Sequence, residues 1–214
     1  MQLYTYWRSS AAYRVRIALN LKRLEATQIP LSLLKGEQRG ADYLARNPQG
    51  LVPALDIGSA VLGQSLAIIE YLEELRPQPA LLPRDPVARA QVRAMAQVVA
   101  CDIHPINNLR VLKYLKEPLG QPQPVIDEWV RHWVGAGFRA LEALAVRHTA
   151  DGRCLFGDSV TMADVCLVPQ MYNARRFKVD VSACPTLVAV CAHLEALPAF
   201  AAARPELQPD AETA

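Results

Sequence analysis

The pattern of apolar residues and prolines points to a mixed α/β unit of order β-α-β-α-β-β-α followed by an all-helical half. Up to Leu75, short strand-like runs alternate with segments of helical spacing. Four prolines, Pro77, Pro79, Pro83 and Pro86, then crowd a stretch through which no helix can continue. Beyond Val87 the apolar residues recur at helical spacing alone. These features predict an α/β domain over residues 1–80, a linker over 81–86 and an all-α domain over 87–214.

Residues 2–7 read as a strand. Ser10 to Leu21 follows as a helix, with a serine cap and Val15, Ala18 and Leu19 at helical spacing. A second strand fits Thr27 to Leu31, and a short helix fits Gly40 to Ala45. Asn47-Pro48-Gln49-Gly50 is a turn, and two short strands, Ala54 to Ile57 and Ala60 to Gly63, flank Gly58-Ser59. From Ser65 a helix places Ile68, Ile69, Leu72 and Leu75 on one side, with Glu70, Glu73 and Glu74 largely outside. In the second half, Val87 to Leu115 reads as one long helix kinked at Pro105, whose ring removes a backbone donor. Trp129, Val130, Trp133, Val134, Phe138, Leu141 and Leu144 form the stripe of another helix, and shorter helices fit 162–174 and 186–196. The tail beyond Arg204, with Pro205 and Pro209, is expected to be loosely ordered.

Composition narrows the function classes. A chain of 214 residues, 51% of them apolar, can bury a substantial core. Its formal charge of +2 is spread rather than gathered on one face, which argues against a nucleic-acid partner. The apolar runs are too short to span a membrane and no secretory leader is evident, so a cytoplasmic protein without a membrane partner is expected. Five cysteines without a C-x-x-C pair point to reduced, mostly buried thiols rather than a disulfide framework. The four histidines are dispersed, and no metal site is expected.

Two dipeptides stand out by position. Val52-Pro53 lies between a turn and a strand, where an X-Pro bond can be held cis and leave the preceding backbone groups free to pair with an extended peptide. Gln64-Ser65 lies where a strand passes into a helix, so the Ser65 hydroxyl and the first free N–H groups make a carboxylate site. Alone, each also reads as structural, the proline as an edge-strand device and the serine as an N-cap. At this separation within one α/β unit they support each other. Thr161-x-x-Asp164 before an apolar run is a capping box and is read as structural. The tryptophans, Trp7, Trp129 and Trp133, are read as packing residues.

The segment Tyr6-Trp7-Arg8-Ser9-Ser10-Ala11-Ala12-Tyr13-Arg14-Val15-Arg16-Ile17-Ala18-Leu19 resembles the S-S-C-x-x-R-V-R-I-A-L signature of zeta-class glutathione transferases, a class that includes maleylacetoacetate and maleylpyruvate isomerases. The likeness continues through Leu51-Val52-Pro53-Ala54-Leu55, through Gln64 to Glu73, through Thr161 to Gln170 and through Arg176 to Asp180, and so covers nearly the whole chain. It implies a thioredoxin-like first domain, an all-helical second domain, glutathione at their junction and a homodimer.

The resemblance also implies roles. Val52 would pair with the cysteinyl part of glutathione before a cis Pro53, and Gln64 and Ser65 would hold its γ-glutamyl carboxylate, with Gln38 and Gln49 as further contacts. Ser9 and Ser10, between the first strand and the first helix, would meet the thiolate with hydroxyls, free N–H groups and the positive end of a helix dipole. Lowering a thiol pKa from about 8.5 to about 6.5 needs only ~2.7 kcal/mol of differential stabilisation. Ser9 is the favoured donor. Ala11 stands where the family signature has cysteine, so the reacting sulfur must belong to glutathione.

The implied reaction is the cis-trans isomerisation of a dianionic maleyl keto-acid by reversible thiolate addition, in aromatic catabolism, with Arg8 and Arg176 as cations for the carboxylates and the developing charge. His104 and Asn108, four apart on a helix face, are candidates for glutathione, and Arg110 for glutathione or a substrate carboxylate. Two other functions remain open: a transferase conjugating glutathione to halogenated or aromatic electrophiles, and a binding protein without catalysis.

Overall fold

The structure, a computed structural model, describes residues 1–211 and divides into two compact units. The first comprises Met1–Leu81 together with the described residues from Ala196 on, and the second comprises Leu82–Glu195. The C-terminal segment thus belongs with the α/β unit, and not with the helical domain to which the expected range 87–214 assigned it.

In the first unit, β1 (Gln2–Thr5) leads into α1 (Ser10–Lys22), then β2 (Thr27–Pro30), a 3-10 turn (Glu37–Arg39), α2 (Ala41–Arg46), β3 (Ala54–Asp56), β4 (Val61–Gly63) and α3 (Ser65–Leu75). The four strands form one sheet in the order β2-β1-β3-β4, with β1 parallel to β2 and antiparallel to β3. This is the expected β-α-β-α-β-β-α order. Helices α1 and α3 pack together, burying Ala12, Val15, Ile17 and Ala18 with Ile68, Ile69 and Leu72. Alternation along the strands sends Tyr4 and Ala54 into a second cluster with Tyr6, Trp7, Tyr43 and Val52.

Helix α3 departs from its predicted faces. Leu75 is 52% exposed, whereas Glu73, expected outside, is buried. The cause lies far off in sequence: the fully buried Lys22 ammonium donates to the Glu73 carboxylate and to the Pro79 carbonyl (2.5 Å), while Leu81 N–H donates to both Glu73 oxygens (3.0 and 3.1 Å). A buried charge is tolerated only when paired in this way. The start of the linker is thereby tied to the first unit.

The C-terminal segment is not loose. Helix α9 (Pro198–Ala201) packs on α1, with Asn20 Nδ2 donating to Ala199 O (2.9 Å), and a 3-10 turn follows at Pro205–Leu207. The Gln208 side chain, 7% exposed, donates to Ala202 O and Arg204 O and accepts from Gln28 Nε2. These contacts tie the segment to β2 and to its own backbone.

The second unit holds α4 (Pro86–Gln97), α5 (Leu109–Lys116), α6 (Gln123–His148), α7 (Met162–Arg176) and α8 (Pro185–Glu195). The expected helix from Val87 to Leu115 is broken: α4 widens into a π-helical turn at Val98–Ile103, a 3-10 turn follows at Pro105–Asn107, and extended Asn108 caps a new helix. Pro105 cannot donate, and Asn108 supplies the acceptor that lets α5 start afresh. The π-turn presses on α6, where a Cβ on Gly137 would stand 2.3 Å from Ile103 Cγ1. The α6 stripe is buried at Val130, Val134, Phe138 and Leu141, but Trp133 is 39% exposed. Asp164 closes the predicted capping box, accepting from Thr161 N (2.7 Å), Thr161 Oγ1 (2.8 Å) and Leu155 N (2.7 Å). Among the described residues, no helix is long and apolar enough to cross a membrane.

Candidate active site

Strand register assembles one edge of the first unit. Tyr4 pairs with Ala54 and Ala54 with Gly63, so the end of β1, the start of β3 and the end of β4 lie side by side. The loop to Ser9, the Val52-Pro53 peptide and Gln64-Ser65 all leave the sheet there. Val52-Pro53 is cis. Val52 is itself buried, yet its N–H and C=O have no partner among the described residues, which leaves them for an extended ligand backbone.

The peptide before that bond is held by residues that sequence reasoning missed. The Leu51 carbonyl accepts from Tyr43 Oη (2.6 Å) and from Asn47 Nδ2 (2.8 Å), and Asn47 Oδ1 accepts from Gln49 N (3.3 Å). Burial raises the pKa of the Tyr43 phenol, against the lowering effect of its hydrogen bond with Asn47, so it stays a donor. The turn closes at Gly50, where φ is +60° and a Cβ would stand 3.1 Å from Gln38 O. Gln38 is thereby brought beside the turn, and its side chain is buried. Asn-Pro-x-Gly signalled the turn, but not that Asn47 reaches past it to Leu51.

Gln64, not Ser65, is the N-cap of α3. It sits at φ +64°, a strained conformation for a residue with a Cβ, and makes no side-chain cap. Its amide donates to Gln49 Oε1 instead (2.9 Å). The first turn of α3 therefore presents free N–H groups beside the Ser65 hydroxyl, which accepts from the buried Arg14 Nη1 (3.2 Å). An uncapped helix start with a hydroxyl and a guanidinium behind it suits a carboxylate.

Ser9 caps α1, its hydroxyl oxygen accepting from Ala12 N (3.2 Å). That bond uses a lone pair and leaves the hydroxyl proton to be donated elsewhere, so capping and thiolate binding are compatible. Ser10 is the first residue of the helix, and its neighbour Ala11 carries no thiol. Arg8 is half-buried, its guanidinium 5.2 Å from the centre of the Trp7 ring.

The remaining sequence candidates lie in the second unit. His104 and Asn108 are not on one continuous helix as expected, because Asn108 is the N-cap of α5, but His104 Nε2 and Asn108 Nδ2 still lie 3.4 Å apart. Asn108 Oδ1 accepts from Arg110 N (3.1 Å), and the Arg110 side chain is exposed. Arg176, in the last turn of α7, is exposed and lies over Phe177 at 4.8 Å, while its neighbour Arg175 is paired to Glu195. Four of the five cysteines are buried, and burial pushes the Cys154 and Cys191 thiols up to about 12. Neither is a thiolate at neutral pH.

The glutathione S-transferase N-terminal domain family matches residues 3–80. A probable maleylacetoacetate isomerase of Vibrio cholerae is 54% identical over 98% of this chain and 97% of its own length. The chain belongs to the zeta class of glutathione transferases. A solved bacterial maleylpyruvate isomerase of the zeta class superposes with a TM-score of 0.97 at 50% identity, over 99% of this chain and 100% of that one. Maleylacetoacetate isomerase from Methylobacterium extorquens AM1, solved with malonate and glutathione, gives 0.95 at 43% identity over the full length of both chains. In this zeta-class chain the edge described above combines an unpartnered, buried Val52 backbone with a start of α3 that no side chain caps.

Proposed function

We propose that the chain is a glutathione-dependent cis-trans isomerase of a maleyl keto-diacid, converting maleylacetoacetate or maleylpyruvate to the fumaryl isomer. The observation that carries the reading is the meeting, at one sheet edge, of a Ser9 hydroxyl that accepts from Ala12 N and keeps its proton to donate, the cis Val52-Pro53 peptide and the uncapped start of α3. Relatives bearing isomerase names, one solved with a small dicarboxylate and glutathione, support the substrate class.

Glutathione, when bound, would supply a thiolate for reversible addition to the cis double bond, so that this bond could rotate as a single bond with no glutathione consumed. Ser9 donates its hydroxyl proton to the sulfur, and the first N–H groups of α1, from Ser10 on, add the positive end of the helix dipole, all favouring S⁻ over SH. Val52 and Pro53 align the tripeptide, Ser65 and Gln64 hold its γ-glutamyl end, and Gln49 and Gln38 flank it. Arg8 stabilises charge developing beside the sulfur. Arg176 takes a substrate carboxylate, and Arg110, His104 and Asn108 contribute polar contacts to glutathione or substrate. The enzyme works as a homodimer in the cytoplasm, where its free thiols stay reduced, and serves aromatic-compound breakdown.

The test is to follow absorbance of each maleyl keto-acid with and without glutathione, while titrating free thiol. Isomerisation with glutathione unconsumed is expected; no glutathione-dependent change would overturn the reading, and stoichiometric loss of thiol would turn it to a conjugating transferase. Ser9→Ala should mainly lower kcat and Arg176→Ala mainly raise KM for the diacid.

A further inference from the structure

The loop that presents Ser9 is braced from behind by two residues, Arg16 of the signature segment and Asp210 in the C-terminal segment. Trp7 N–H donates to Asp210 Oδ2 at 2.9 Å, across 203 positions of sequence. Arg16, 4% exposed, donates from Nη2 to Trp7 O (2.9 Å), from Nη1 to Thr5 Oγ1 (3.2 Å) and Tyr6 O (3.5 Å), and from Nε to Ala203 O (3.3 Å). Ser9 N–H donates to the same Tyr6 carbonyl at 3.0 Å. The backbone of Tyr6 and Trp7 is thus pinned by one guanidinium and one carboxylate, and Ser9 hangs from it. Burial depresses the Arg16 pKa to about 10, and the Asp210 charge is the largest influence holding it up. Gln208, two residues before Asp210, anchors the segment through its buried amide.

We propose that Asp210 and Arg16 are a positioning pair for catalysis: the C-terminal segment sets the placement of the Ser9 hydroxyl, and with it the ionisation of the bound thiol. The proposal rests on Ser9 acting as the thiolate donor. Neither residue touches the reacting atoms. Their effect travels through the Tyr6–Trp7 backbone, and small misplacements of a donor are costly when the reaction depends on its direction.

The experiment uses the full chain with Asp210→Ala, Asp210→Asn, Ser9→Ala and the Ser9→Ala/Asp210→Ala pair, each checked for folding by circular dichroism. Two quantities are read: kcat with a maleyl keto-acid, and the pH titration of bound glutathione by thiolate absorbance. Asp210→Ala should lower kcat about ten-fold and raise the apparent thiol pKa by about one unit, a ten-fold change in that equilibrium, with KM for glutathione within two-fold. Asp210→Asn, which keeps an acceptor for Trp7 N–H, should recover most of the loss. In the Ser9→Ala background Asp210→Ala should add little, because both act through one hydroxyl. A folded Asp210→Ala protein with unchanged kcat and thiol titration overturns the proposal, as does a fully additive double variant. A wild-type protein that lowers the thiol pKa but isomerises nothing defeats the isomerase reading alone. A Ser9→Ala protein with an unaltered thiol titration defeats the Ser9 assignment.

Discussion

Replacing Glu73 with alanine should be among the most damaging single changes in the first unit. The Lys22 side chain is wholly inaccessible and that of Glu73 is 8% exposed, so removing the carboxylate strands an ammonium in the core. Breaking a buried pair from one side costs about 3–5 kcal/mol. Leu81 N–H, bonded to both Glu73 oxygens, loses its acceptor as well, at about 1 kcal/mol or more. The combined loss is about 4 kcal/mol at least, or a fall in Tm of about 8–16 °C for a chain of this size. Urea unfolding followed by circular dichroism, at fixed protein concentration so that self-association does not shift the midpoint, measures it. A Lys22→Met/Glu73→Leu double variant should recover most of the stability, because the desolvation cost of both charges disappears with them. A loss below about 1 kcal/mol for Glu73→Ala, or a double variant no better than the single one, would refute the reasoning.

Burial lifts Asp164 to about 6, against the lowering effect of its hydrogen bonds from Leu155 and Thr161. With an unfolded value of about 3.9, the native state holds its proton more readily, so this group's contribution to stability is complete below pH 4 and is lost by up to about 3 kcal/mol as pH rises through 6. Asp164→Asn should remove that slope, which urea midpoints on either side of the window will show. Tyr43→Phe deletes one of two donors to the Leu51 carbonyl and should raise KM for glutathione about five-fold with kcat unchanged, a loss of about 1 kcal/mol; initial rates against glutathione concentration check it. Gly50→Ala forces a left-handed side chain against Gln38 O and should cost about 1–2 kcal/mol, read as a lower Tm.

Much of the candidate site was legible because its signals are local. A proline after a turn, a serine where a strand becomes a helix and paired serines at a helix start each announce their geometry within a few residues, and register then places them at one edge. The helix breaks were less legible. Pro105 reads as a kink, but whether the chain resumes the same helix depends on the π-turn's packing against Gly137 of α6.

Local signals sufficed for the β-α-β-α-β-β-α order of the first unit and for Val52-Pro53 at its edge, and Ala11 leaves the first turn of α1 without a thiol. Side-chain contacts seen in three dimensions bury Glu73, let Tyr43 and Asn47 hold Leu51, and bring the proline-rich C-terminal segment back to brace Trp7. Periodicity reports which faces are apolar, since hydrophobic burial follows the spacing of side chains along one element. A charge can be buried only where its partner waits, and Lys22 lies 51 positions from Glu73 while Asp210 lies 203 from Trp7.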